Sequence, residues 1–186
     1  MKFINFIIFL LLSSIISTKS NSTENIKDLL KENGKLILIR HAYAPGTGDP
    51  DNFDILDCST QRNLNEVGIR DSKELGAFFF KNKIDIDKVL SSEWCRCKDT
   101  AYYAFKDYEK KKFLNSFYSE KFAHKKKLQI DELKRYIKKW KGEKNLILVT
   151  HYVVIYELLN VSASPGEIII ADKNFKFLAR YNVLKK

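Results

Sequence analysis

Two arginines and two histidines occupy the places where strands are expected to end. Leu36-Ile37-Leu38-Ile39 runs straight into Arg40-His41, and Leu146-Ile147-Leu148-Val149-Thr150 stops at His151. Between them, an apolar stretch over 86–92 closes on Ser91-Ser92, with Arg96 just beyond. Ligands of open parallel sheets bind outside the carboxyl ends of the strands, so the four side chains are expected to share one pocket. Two guanidiniums offer planar, permanently charged forks that match phosphoryl oxygens. A neutral imidazole within reach of phosphorus is a nucleophile, and a second imidazole can neutralise the equatorial oxygens. Phosphoryl transfer asks for little beyond positioning and charge stabilisation. No Asp, Glu or His cluster with metal-ligand spacing accompanies the set, so no metal and no cofactor is expected.

The elements that must hold these residues can be read from periodicity and turn signals. Leu36–Ile39 and 146–149 are apolar at successive positions, as in strands covered on both faces. Asn65 has the form of a helix N-cap with Glu66 in the first turn, and the helix it starts is expected to run to about residue 80. Its glycines, Gly68 and Gly76, cost helix propensity, which a close approach to the sheet would offset. Further helices are expected over 93–105, over 128–140, where Leu133, Tyr136, Ile137 and Trp140 are at helical spacing, and over 152–159. A short lead-in helix is expected within 21–34, and a terminal hairpin around Asp172-Lys173-Asn174. The stretch 45–63 is a long loop without periodicity, and such loops are usually functional. Strands alternating with helices imply a three-layer α/β/α domain with a mainly parallel sheet.

Residues 1–20 stand apart. Lys2 precedes an apolar run from Phe3 to Ile16, and small polar residues follow. This is the layout of a signal peptide, with cleavage after Ser20 and an uncleaved N-terminal anchor as the alternative. A secreted or periplasmic protein, with residues 21–186 as a single domain and no stable membrane anchor after cleavage, is the expectation. The chain has a net charge of +10 and 45% apolar residues; it is globular rather than disordered, and its surface favours anionic partners. The runs Lys110-Lys111-Lys112 and Lys125-Lys126-Lys127 lack the interleaved aromatics that stack bases, so no specific nucleic acid is expected. Of the three cysteines, Cys95 and Cys97 are too close in sequence to pair easily; Cys58 with either one is the natural disulfide.

Four stretches in order, Leu38-Ile39-Arg40-His41-Ala42, Leu64-Asn65-Glu66-Val67-Gly68, Ser91 to Ala101, and Val149-Thr150-His151, resemble the histidine phosphatase superfamily, which has the phosphoglycerate mutase-like fold. The resemblance implies that His41 is the nucleophile of a phosphohistidine intermediate. It also implies that Arg40, Arg96 and His151 complete the phosphate pocket, and that the substrate is a small phosphomonoester or phosphohistidine hydrolysed without a metal. Two departures stand out. Ala42 replaces the family's glycine after Arg-His. Ser116 in Leu114-Asn115-Ser116-Phe117 stands where mutase-type members place a glutamate acid, so mutase activity is not expected. Glu93, nearest in sequence to the pocket, is a substitute proton donor or a helix-N-terminal charge; Asp54, Asp57 and Glu120 are alternatives. Arg62 can reach the substrate from the loop before the helix at Asn65. Because that glutamate is missing, a non-catalytic binder of phosphorylated ligands in the cell envelope, using the same pocket, is the alternative function.

Overall fold

A computed structural model of the chain describes residues 18–184. Most of the expected signal peptide, residues 1–17, lies outside the described residues. No helix among them is long and apolar enough to cross a membrane.

The elements follow one another as α1 (Thr18–Lys31), β1 (Leu36–Arg40), α2 (Glu66–Lys81), β2 (Ile86–Ser91), α3 (Cys95–Phe105), β3 (Glu109–Lys110), α4 (Glu120–Ala123), α5 (Lys126–Lys139), β4 (Asn145–Thr150), α6 (Tyr152–Leu159), β5 (Ile168–Ala171) and β6 (Phe177–Tyr181). The strands form one sheet in the order β3-β2-β4-β1-β5-β6. The pairs β2–β3, β2–β4 and β1–β4 are parallel, whereas β1–β5 and β5–β6 are antiparallel. The terminal hairpin is therefore present, and its first strand extends the sheet beside β1. The two-residue strand β3 has no counterpart in the sequence reading, since Glu109 and Lys110 carry no strand pattern.

Alternation along the central strands explains the layers. Leu36, Leu38, Leu146 and Leu148 point to one face and pack with Leu133 and Ile137 of α5 and Ile155 of α6. Ile37, Ile39, Ile147 and Val149 point to the other and pack with Leu30 of α1, Leu75 and Phe79 of α2, and Ala101 of α3. Each of these strand residues is fully buried, which is why β1 and β4 read as unbroken apolar runs.

Asn65 caps α2 as expected, its side chain accepting from the Gly68 amide. The two glycines of α2 have a different cause from the one expected. A Cβ on Gly68 would lie 2.0 Å from the carbonyl oxygen of Tyr43, in the loop after β1. A Cβ on Gly76 would lie 2.1 Å from the carbonyl oxygen of Ala104 in α3. Neither glycine meets the sheet: one admits the loop that carries the chain past His41, and the other lets two helices touch.

Candidate active site

Register sets the site. In the β1–β4 pair Arg40 is opposite Thr150, and the His41 amide donates to the Thr150 carbonyl at 2.9 Å. The next residue on each strand is therefore a histidine at the same sheet edge. Their ring centroids are 5.5 Å apart. Arg96 enters from the first turn of α3, packed beside β2. His41, Arg96 and His151 are 3%, 3% and 2% exposed. Together with Arg40 and Arg62 they line one cavity of about 460 Å³.

The protonation pattern follows from the partners. His41 Nδ1 lies 2.9 Å from the Ala42 carbonyl oxygen. A carbonyl only accepts, so Nδ1 carries the proton and Nε2 keeps a free lone pair. Ala42 is held in turn: its amide donates to Thr100 Oγ1, which donates to the Arg96 carbonyl. Burial, then the Arg96 charge, pushes the His41 pKa well below its ordinary value. His151 shifts the same way for the same leading causes. Its Nε2 is 3.0 Å from Ser92 Oγ. That hydroxyl donates to Asn115 Oδ1, an oxygen already fixed as acceptor by the Glu93 amide. Ser92 therefore accepts from His151, which is neutral with its proton on Nε2.

The arginines differ in what holds them. Arg40 Nη1 donates to the Ala163 carbonyl, and its guanidinium lies 5.4 Å from the centre of the Tyr152 ring. Arg96 is gripped by Asp49, with Nη1 to Oδ1 at 2.6 Å and Nη2 to Oδ2 at 3.1 Å. Asp49 also accepts from the Trp94 indole and the Arg62 amide. Burial raises the Asp49 pKa, but Arg96 and these hydrogen bonds outweigh it and hold the carboxyl below its usual range. Both Arg40 Nε and Arg96 Nε are buried without a hydrogen-bond partner. Two orphaned cationic N–H groups beside a neutral nucleophile are costly and are what an anion would satisfy.

Comparison with known structures identifies the fold. No family model and no curated protein matches the chain. Among solved structures, the protein histidine phosphatase SixA complexed with tungstate aligns with 80% of this chain and 97% of its own, at TM-score 0.58 and 16% identity. A putative alpha-ribazole-5'-P phosphatase from Escherichia coli covers 74% of this chain and 90% of its own, at TM-score 0.55 and 15% identity. Phosphoglycerate mutase from Thermus thermophilus covers 78% and 97%, at TM-score 0.54 and 14% identity. The chain has the phosphoglycerate mutase-like fold, that of the histidine phosphatases.

Within this fold, Arg40, His41, Arg62, Arg96 and His151 converge as the sequence reading expected. Glu93 does not join them. Its carboxylate accepts from Asn115 Nδ2 at 2.7 Å, and it is not part of the cavity wall. Asp54, Asp57 and Glu120 are also off the wall, whereas Ser116 is on it. Asp57 caps the turn Cys58–Thr60 by accepting from the Ser59 amide. The carboxylates that do line the cavity are Asp49 and Asp51. Asp49 carries no motif signal beyond its place in the long loop. Phe53 and Phe122 also escaped the sequence reading, because each comes from an aperiodic segment.

The loop is fastened to α3. Cys58 is bonded to Cys95, and Gln61 Oε1 accepts from the Cys95 amide at 2.9 Å. Cys97 is the free, buried thiol, its pKa pushed up by burial to about 12. It lies 3.5 Å from His151 Nε2, yet a thiol that does not ionise is inert at neutral pH.

Proposed function

We propose that the protein is a phosphatase that hydrolyses a small phosphomonoester or phosphohistidine through a covalent phosphohistidine on His41, without a metal. The observation that carries this reading is the lone pair of His41 Nε2 beside two buried, unpartnered guanidinium N–H groups. His41 Nε2 attacks phosphorus, the P–N bond forms, and the bond to the leaving group breaks. Arg40 and Arg96 bind the phosphoryl oxygens. The bound negative charge raises the pKa of His151, so that it takes a proton and neutralises a further oxygen. Water then attacks phosphorus, the P–N bond breaks, and inorganic phosphate leaves with His41 restored.

Loss of either arginine removes a pre-organised charge donor, worth about 3 kcal/mol of transition-state stabilisation. Export is part of the proposal: the leader-like segment at 1–20 and the Cys58–Cys95 bond support it, since disulfides persist in oxidising compartments.

The test is hydrolysis of p-nitrophenyl phosphate with EDTA present, beside His41→Ala, followed by trapping of acid-labile phosphate on His41. Chelator-resistant turnover that disappears in the variant supports the proposal. Phosphate binding with neither turnover nor phosphoenzyme would instead establish the non-catalytic binder, a reading favoured by the turning away of Glu93.

A further inference from the structure

The cavity above the phosphate-binding residues has aromatic walls. Trp94 lies 5.4 Å from the His151 ring, centroid to centroid, and stacks on Phe53 at 5.0 Å. Phe122 closes this group edge-on, 5.6 Å from Trp94 and 5.7 Å from Phe53. A second group comprises Tyr152, the residue after His151, and Tyr118, with centroids 5.8 Å apart. All five rings line the cavity that holds Arg40, His41, Arg96 and His151. Tyr118 remains 60% exposed and Tyr152 37% exposed, which leaves ring surface open beside the phosphate-binding floor. A cavity of about 460 Å³ is within the range of small-molecule sites, and planar groups gain by stacking on such rings.

A second observation points the same way. A leaving alkoxide needs a proton, and enzymes supply it from an acid tuned near the working pH. Here Ser116, which by the sequence resemblance replaces the mutase glutamate, lines the cavity without offering a carboxyl, and Glu93 is turned to Asn115. Asp49 is spent on Arg96, Trp94 and the Arg62 amide, and Asp51 is exposed at the rim. Without a protonated carboxyl, the leaving group must depart largely by its own acidity. A phenol, with pKa of about 10, does so far more readily than an alcohol, whose acidity is near that of water at about 15.7.

Resting on the phosphatase reading, we infer that this site is built for a phosphoryl group carried on the oxygen of a planar phenol-type ring, bound between the Trp94–Phe53–Phe122 and Tyr118–Tyr152 walls. The bond from His41 Nε2 to phosphorus forms as the bond to the phenol oxygen breaks. The electron pair leaves on the phenolate, which then takes its proton from water.

Binding and turnover test separate parts. Calorimetry with phenylphosphonate and methylphosphonate, which cannot turn over, reads ring recognition alone. Phenylphosphonate should bind at least tenfold tighter, and Tyr118→Ala, at an exposed position, and Phe122→Ala should each cut that preference at least threefold. Equal affinities within twofold for the two phosphonates would overturn the aromatic walls while leaving the phosphatase reading standing. Failure of both ligands and of inorganic phosphate to bind would sink the phosphatase reading itself. In turnover, phenyl phosphate should exceed benzyl phosphate in kcat/KM by at least a hundredfold, since benzyl phosphate keeps the ring but leaves as an alkoxide. A benzyl phosphate kcat/KM within tenfold of that of phenyl phosphate would show a working acid and refute the leaving-group argument.

Discussion

Cutting the Cys58–Cys95 bond should destabilise the protein by an amount set mainly by the length of chain it closes. The cysteines are 37 residues apart. For a closed loop of that size the chain-entropy relation gives about 3.8 kcal/mol at 25 °C. The native side has little to lose beyond the bond, because Gln61 still accepts from the Cys95 amide and Asp49 still grips Arg96. The clean perturbation is Cys58→Ser, because Cys58 is exposed whereas Cys95 is fully buried. Urea unfolding of wild type and variant, with and without a phosphine reductant, measures the effect. Reduced wild type and the variant should agree with each other and sit about 2–4 kcal/mol below the oxidised protein. The urea m-value should rise, because an unfolded chain without the cross-link exposes more surface. Cys97→Ser should leave the response to reductant intact. A loss below about 1 kcal/mol with an unchanged m-value would refute the reasoning: the bond would then not constrain the unfolded chain.

Other expectations bear on the site and the packing around it. Arg96→Lys should lower kcat about a hundredfold or more, because a point charge cannot hold Asp49 and phosphate with a fork's geometry; wild-type turnover would remove Arg96 from its role. Asp49→Ala leaves the nearly buried Arg96 without its counter-ion and should cost about 3 kcal/mol, partly restored by added phosphate; urea unfolding with and without phosphate reads both, and a loss that phosphate does not relieve would contradict the placing of Arg96 in the anion site. NMR titration of the free protein should find His41 and His151 neutral well below pH 6.5, as their burial beside Arg96 requires. Since the unfolded chain then binds more protons, their contribution to stability is complete above the unfolded value of about 6.5 and is lost as pH falls from there toward the depressed folded values; stability that rises over that window on acidification would contradict the sign. Gly76→Ala should destabilise by about 1–3 kcal/mol despite alanine's better helix propensity, because its Cβ meets the Ala104 carbonyl; thermal melting decides, and a stabilised variant would show that the helices can part.

The sequence by itself determined the chain's strand–helix alternation, the capped start of α2, and the arrival of Arg40, His41, Arg96 and His151 at one sheet edge. These are legible because they rest on local pattern: strands buried on both faces must be apolar at successive positions, and a parallel sheet puts the residues after its strands on one side. Only the tertiary structure decided the pairing of Asp49 with Arg96, the choice of Cys95 over Cys97 as partner for Cys58, the attachment of Glu93 to Asn115, and the gathering of Phe53, Trp94 and Phe122. The glycines of α2 belong here too, since the carbonyls they meet are in the loop after β1 and in α3. Each of these contacts joins an aperiodic loop or a helix flank to a distant segment. Periodicity reports which face of an element is buried; it carries no information on which side chain of a loop will meet which partner once the chain has closed.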